Sequence, residues 1–475
     1  MESYNSSPDT AYELDQPAGW DQRGDGQGSP VISAGSALHA HPAASVGGLR
    51  SHPSDSDLEQ AVELLRRVFS SLEGELVGFQ RLLAQAAYAL VTRENLLVFS
   101  PPGTAKTLFA ACLFTRIDGA QVFDTQMSKG TLAEELFGSI DTQELKRGRV
   151  IHNTHNTLVD ADLAFIDEFF DANDMVLRAL LGVFNERVFK KGSQLEQCPL
   201  HTGIAAANYL RATAVTEAVL DRFLFRAHIT PDYSPATLLA IDQAFSQHYG
   251  RHSAAAGGAK IPLGRLSLLA ELVRGELPDR QVTAAPHVLF LKNVLLGRYR
   301  ALVSDSSEHW RNNPLYISPR TYAKCRLVLN AAAVLRGRME VSTADLAELR
   351  YAVTTIGGRP EQSQCFEKAL RETMLQIRGD DLRHIDDLSA AMELAEQMMS
   401  RFREGRPVAP DGLLPRILRL FGLISEGDVT FAHVRRFVED IRPRSEDVAA
   451  LKLGVLGRIQ ELTRRIDYPQ MEFLS

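Results

Sequence analysis

The segment Ser100-Pro-Pro-Gly-Thr-Ala-Lys-Thr107 has the residue types and the setting of a phosphate-binding loop. It follows the apolar run Leu96-Leu97-Val98-Phe99 directly and opens a helical pattern at Leu108, Ala111 and Cys112. Small residues across Ser100, Pro101, Pro102, Gly103, Thr104 and Ala105 let backbone N–H groups turn inward on phosphate oxygens, and the helix N-terminus adds its positive dipole end. Lys106 would reach the β and γ phosphates of a nucleoside triphosphate, and the Thr107 hydroxyl would complete a Mg²⁺ shell. The first glycine of the usual G-x-x-x-x-G-K-[ST] pattern is replaced by Ser100, which is small enough to keep the loop. Downstream, the apolar run Leu163-Ala164-Phe165-Ile166 ends in Asp167-Glu168. Alternation along a strand sends the two carboxylates to different sides. Asp167 can then hold a Mg²⁺-bound water while Glu168 faces the attacking water as general base. Such a pair alone would be a solvated strand end; together with the loop it points to ATP hydrolysis. A third run, Gly203-Ile-Ala-Ala-Ala207, closes on Asn208, either a turn former or a partner for the attacking water or γ-phosphate. Leu220-Asp-Arg-Phe-Leu-Phe-Arg226 then places Arg222 and Arg226 after the sheet. These are helix-end cations, or one of them stabilises transition-state charge in a neighbouring subunit, an effect of about 10³–10⁵ in rate.

Three apolar runs of strand length, separated by amphipathic stretches, imply strands buried on both faces and therefore a parallel sheet in an α/β layer. Ahead of them, order is expected to begin near Asp57 as N-cap, with Val62, Leu65, Phe69 and Leu72 at helical spacing. A second helical pattern follows Val77-Gly78 through Leu82, Leu83, Ala86, Ala87 and Leu90. Beyond Pro231 the strands fade, and helices are expected at Leu238–Phe245, Leu263–Val273, Val288–Leu302 and Pro319–Leu335. A last helix should start at Ser445 as N-cap, with Val448, Leu451, Val455, Ile459, Leu462 and Ile466 on one stripe that packs in a helical bundle. Residues 1–57 are rich in Gly, Ser, Pro, Asp and His without apolar period, the composition of a disordered arm in which His39, His41 and His52 are solvated.

The chain has 475 residues, 45% hydrophobic and 23% charged, with a net charge of -7. This excludes a wholly disordered or collagen-like chain, and the lack of any long uncharged apolar stretch excludes a polytopic membrane protein. Cys112, Cys198, Cys325 and Cys365 are scattered and form no C-x-x-C pair, as expected of reduced thiols in a cytoplasmic protein.

Taken together, these stretches resemble an AAA+ ATPase of the MoxR family, close to its regulatory ATPase variant A (RavA) branch. The resemblance runs from about Leu58 to Ile356. It is carried in order by Val77-Gly78, SPPGTAKT, ELFGSID (Glu135 to Asp141), LAFIDE, FNERVF (Phe184 to Phe189), IAAANY, LDRFLFR and ISPR (Ile317 to Arg320). It implies a P-loop αβα sandwich with a five-stranded parallel sheet, an α-helical lid and assembly into hexameric rings. The divisions it suggests are a disordered arm at 1–57, a nucleotide-binding core at 58–230, a lid at 231–357 and a C-terminal helical region at 358–475. Lys106 and Thr107 would belong to the Walker A loop, Asp167 and Glu168 to Walker B, Asn208 to sensor 1. Arg320 would be sensor 2, reaching from the lid to the γ-phosphate. Arg222 would be the arginine finger, with Arg226 as the alternative, and Val77 and Gly78 would lie against the adenine. A β-hairpin is implied at about Phe137 to Asp160 and a second at Phe189 to Cys198.

The function so implied is a protein-remodelling ATPase, with ATP and Mg²⁺ as cofactors and a client carrying a von Willebrand factor A (vWA) domain. A nucleic-acid motor is the competing reading, supported only by Lys146-Arg147, Arg149 and Lys190-Lys191, and the acidic balance opposes it. A non-hydrolysing nucleotide scaffold is opposed by the intact Lys106, Asp167 and Glu168. His152 and His155 have H-x-x-H spacing without a further evident ligand.

Overall fold

The computed structural model describes residues 54–192, 194–209, 219–248, 258–312, 315–403 and 429–467. The arm expected at 1–57, with its histidines, lies almost wholly outside the described residues. The first helix, α1 (Asp55–Glu75), starts earlier than expected. Ser54 is its N-cap: its hydroxyl accepts from the Asp57 N–H at 3.2 Å, and Asp57 Oδ2 accepts from the Ser54 N–H at 2.9 Å. Asp57 is thus the third helical residue of a capping box. Its carboxyl also takes Arg265 Nη1 at 2.6 Å, and this bond, then those to Ser54, holds it near a pKa of about 2.

Helix α2 (Gln80–Thr92) ends on Arg93 in the left-handed conformation, which turns the chain into β1 (Leu96–Phe99). The phosphate loop leads to α3 (Lys106–Phe114), then β2 (Val122–Gln126) and β3 (Leu163–Asp167). Helix α4 (Asp174–Leu181) precedes a two-stranded hairpin of β4 (Val188–Lys191) and β5 (Gln194–Gln197), followed by β6 (Thr202–Ala207) and β7 (Phe225–His228). The five-stranded sheet has the order β2-β3-β6-β1-β7 and is parallel throughout. All six residues of β6 are buried, as a central strand covered on both faces requires. The apolar runs located the three inner strands. The outer two were not apparent: β2 reads Val-Phe-Asp-Thr-Gln at an exposed edge, and β7 has four residues including Arg226.

The hairpin expected at Phe189 to Cys198 is present. The one expected at Phe137 to Asp160 is not formed as a ladder: only Ile140 and His152 make an antiparallel bridge. Asp141 accepts from the N–H groups of Gln143 and Glu144 and caps a five-residue helix, Thr142–Lys146, so the tip coils where strands would have continued. The two insertions are joined. Gln194 of β5 accepts from the His152 N–H at 2.7 Å and donates to the His152 carbonyl at 3.0 Å, while Phe137 stacks on Phe189 at 5.4 Å.

Helices α5 (Pro235–His248), α6 (Leu263–Arg274), α7 (Pro286–Ser306) and α8 (Pro319–Leu335) follow the sheet, each containing its expected segment. Among the described residues, the C-terminal helical region consists of α9 (Pro360–Gln376), α10 (Asp380–Arg403), α11 (Phe431–Asp440) and α12 (Glu446–Asp467). It docks on α7: Tyr299 meets Phe366 edge-on at 5.6 Å, His287 bonds Asp386 at 2.8 Å, and Arg298 bonds Gln376 at 2.6 Å and also Asp447. The stripe on α12 is spent inside this bundle, with Val448, Val455, Ile459 and Leu462 buried. Among the described residues no helix is long and apolar enough to cross a membrane. Burial raises the Cys198 and Cys325 thiols to about 12.

His201, at the start of β6, is 3% exposed. Burial, with Arg93, Arg187 and Arg274 nearby, holds its ring down to about 3, against an ordinary 6.5. The unfolded chain therefore binds a proton near pH 6.5 that the folded chain refuses until about 3. Stability contributed by the neutral ring is full above 6.5 and is lost as the pH falls through that window. Denaturant titrations from pH 7 to 4 are expected to show a shallower decline for His201→Gln than for the wild type. Equal slopes would remove His201 from the acid response.

Candidate active site

The C-terminal ends of β1, β3 and β6 bring the predicted residues together. Ser100 follows β1, and its N–H donates to the Ala207 carbonyl at 3.1 Å. It is 1% exposed and has no positive φ, so no glycine is required there. Its hydroxyl pairs with that of Thr104 at 2.5 Å, bracing the loop. Ala105 is a second departure beyond Ser100, standing where the pattern has its other glycine. It takes φ +59, a conformation that costs a residue with a Cβ about 1–2 kcal/mol. Gly103, at φ +79, turns the loop without that cost.

Lys106 is 8% exposed; its Nζ donates to Asn208 Oδ1 at 2.6 Å and to the Ser100 carbonyl at 3.4 Å. Asn208 Nδ2 donates to Glu168 Oε1. Asn208 therefore links the phosphate-seeking cation to the candidate base. Glu168 leaves β3 in the left-handed conformation (φ 49, ψ 42), so its carboxylate turns toward Asn208 and not along the strand. Burial, and then the negative charge of Asp167, raises the Glu168 pKa, while Lys106 pulls it down. A carboxylate of raised pKa is the better proton acceptor. Thr107 Oγ1 donates to Asp167 Oδ2 at 3.3 Å. A hydroxyl and a carboxylate so close are hard oxygen donors of the kind Mg²⁺ takes, and the pair fits that ion. Asp124 on β2 is a further acid felt by Asp167; burial, and then the negative charge of Asp167, raises its pKa. A lone acid in a polar edge strand offers no signal in the sequence.

A cleft of about 240 Å³ opens between the start of α2 and the end of β7, lined by Gly78, Phe79, Leu82, His228, Ile229 and Gly357 among others. It contains Gly78 but not Val77, its neighbour in the chain. Ile356 and Gly357 arrive from beyond the lid helices: the His228 N–H donates to the Ile356 carbonyl at 2.6 Å, and the Ile356 N–H to the Arg226 carbonyl at 2.9 Å. Gly357 has φ +71, and a Cβ there would lie 2.1 Å from the His228 carbonyl oxygen. Gly357→Ala is expected to cost about 1–3 kcal/mol of stability. Because that clash pushes on the cleft wall, binding of a fluorescent ATP analogue should weaken too. A variant with unchanged melting temperature and affinity would show that the turn relaxes freely.

The arginines lie elsewhere. Arg226 is not beyond the sheet but within it, in register with Leu97 of β1. Arg222 stands on the turn before β7, where its N–H donates to the Val219 carbonyl at 2.9 Å. Arg320 does not reach toward Lys106 as expected; its Nη1 bonds Asp221 Oδ2 at 2.9 Å. One turn further along α8, Lys324 bonds Glu94, just ahead of β1, at 2.6 Å. Helix α8 thus meets the sheet at the N-terminal ends of its parallel strands, whereas Lys106, Asp167, Glu168 and Asn208 lie at the C-terminal ends. The docking of the lid, which no local pattern encodes, decides this. His152 and His155 do not converge: one bonds the Gly138 carbonyl at 2.8 Å, the other Asp160 at 3.0 Å.

Residues 63–249 match the family model of the MoxR domain in the MoxR-vWA-beta-propeller ternary systems, and residues 280–370 match that of the AAA lid domain. Two segments of the chain are thus similar to a MoxR domain and to an AAA lid. The chain is 25% identical over 295 residues to an uncharacterized protein of Methanocaldococcus jannaschii, covering 62% of this chain and 71% of that one. It is 28% identical over 176 residues to the chaperone MoxR1 of Mycobacterium tuberculosis, covering 36% of this chain and 46% of the chaperone, so the alignment spans about half of that relative. A crystal structure of a Cytophaga hutchinsonii protein assigned as an ATPase superposes with a TM-score of 0.52 at 18% identity, covering 67% of this chain and 96% of that one. That likeness concerns the fold.

Proposed function

We propose that this MoxR-type protein, near the RavA branch, is an ATP-hydrolysing chaperone that assembles into a hexameric ring in the cytoplasm and remodels a partner complex containing a vWA domain. The observation that carries the ATPase reading is the chain of contacts Lys106–Asn208–Glu168 beside Thr107–Asp167. The partner is suggested by the ternary systems named in the matching family model.

In this reading the loop from Ser100 to Thr107 cradles the phosphates, and Lys106 exchanges Asn208 for the γ-phosphate. Asn208 then orients the attacking water, and Glu168 accepts its proton. Thr107 and Asp167 would hold Mg²⁺, which when bound would supply charge neutralisation at the phosphate oxygens. The adenine enters the cleft at Gly78 and Gly357. Arg222 and Arg320, at the far end of the sheet from their own loop, serve the nucleotide of a neighbouring copy. The joined insertions contact the client. A nucleic-acid role finds little support, since Arg147 and Arg149 are both paired with Glu144.

The test is steady-state phosphate release over a protein concentration series, wild type beside Lys106→Ala. Turnover per subunit that rises with concentration and is absent from the variant is the expected result. Wild-type turnover no higher than that of Lys106→Ala would reject the ATPase reading, and turnover independent of concentration would reject sites completed between copies.

A further inference from the structure

Arg222 and Arg320 belong to different parts of the fold, one on the turn before β7 and one in the first turn of α8. Left unlinked, their spacing would vary with every change in the docking of the lid. Each segment is ordered locally, and one ion pair joins them. The turn is anchored, because the Phe223 N–H donates to the Leu220 carbonyl at 3.1 Å and the Phe223 ring packs edge-on against Phe169 at 5.6 Å, next to Glu168 in the chain. The start of α8 is fixed in its own conformation, where the Ser318 hydroxyl accepts from the Thr321 N–H at 3.1 Å and Pro319 occupies the first turn. Asp221 is the bridge between them, adjacent in sequence to Arg222 and bonded to Arg320 at 2.9 Å.

That bond uses one nitrogen of a five-donor guanidinium, and Arg320 is still 37% exposed, so its other N–H groups remain accessible to an anion. We propose that Asp221 is a positioning residue that holds Arg320 beside Arg222, so that both cations are presented together to the nucleotide of a neighbouring copy. This rests on the ATPase reading and on sites completed between copies. Asp221 itself touches no nucleotide; it sets the distance between two groups that do.

The test uses the full chain as wild type, Asp221→Asn, Asp221→Glu and Arg222→Ala. Asp221→Asn should lower kcat about tenfold, the scale of a misplaced catalytic group. Its Kd for N-methylanthraniloyl-ATP should stay within about twofold, since a group acting only on turnover leaves binding alone. Asp221→Glu should recover most of the rate. Mixing Asp221→Asn with Glu168→Gln chains, which keep the Asp221 and arginine arrangement but lack the base, should restore turnover at the hybrid interfaces. The proposal is overturned if kcat is unchanged, if Kd rises in step with the loss of rate, or if mixing rescues Arg222→Ala but not Asp221→Asn. If mixing rescues neither, the presentation of arginines between copies fails and this inference with it. A wild type without turnover instead rejects the ATPase reading itself.

Discussion

Replacing Arg222 by alanine is expected to reduce ATP turnover by about 10³-fold, the lower end of the range for a supplied arginine. The Kd for N-methylanthraniloyl-ATP should not change. The reasoning is positional. Arg222 stands before β7, at the opposite end of the strands from the loop that follows β1, so it cannot steady charge on the nucleotide bound by its own chain. It also differs from Arg226, whose backbone is part of the sheet and whose guanidinium is held below its ordinary pKa by burial. Arg226→Ala should therefore act mainly on stability, seen as a lower melting temperature. A turnover loss confined to Arg226→Ala, with Arg222→Ala near wild type, would reverse the assignment.

The second large effect is at Glu168. Glu168→Gln keeps the size of the side chain and an oxygen to accept from Asn208, but it cannot take a proton. Phosphate release should fall by about 10²–10⁴-fold while ATP binding persists. The raised pKa of Glu168 adds a pH signature. As the pH falls toward that value the base is protonated and lost, so the acid limb of the wild-type rate profile should sit above 4.5, the ordinary value for this group. Single-turnover rates across pH 4.5 to 8 would show it. A Glu168→Gln enzyme that still turns over at a tenth of the wild-type rate would assign proton removal to another group.

The parts of the site that could be read from the sequence are those in which chemistry and chain position coincide. A phosphate loop needs small residues, a lysine and a hydroxyl in one run, and a pair of acids must follow an apolar strand. Ser100 to Thr107 and Asp167-Glu168 satisfy this with no knowledge of the rest of the fold. The inner strands were legible for a related reason, since burial on both faces leaves runs of apolar residues. Edge position hides β2, because one exposed side admits Asp124 and Gln126, and brevity hides β7. The cleft was only half legible: Gly78 is local, whereas Gly357 reaches it through pairing with a strand some 130 residues earlier. The placement of Arg320 was misread because a helix carries no record in its own sequence of the surface on which it docks. The first insertion departs from a hairpin through a single capping residue, Asp141, whose side chain stabilises a helical turn.

Two hydrogen bonds of opposite direction tie the Gln194 side chain to the backbone of His152. A primary amide that both donates to and accepts from one residue reproduces what a neighbouring strand would offer, so the second insertion completes the backbone pairing of the first at His152. Neither can swing alone without stranding a buried N–H and carbonyl. A push at either tip reaches the base of both, and the pair behaves as one beam with two ends. Transplanting one insertion from a related chain without its counterpart would break that beam at the joint, and the two would have to be exchanged together to keep it.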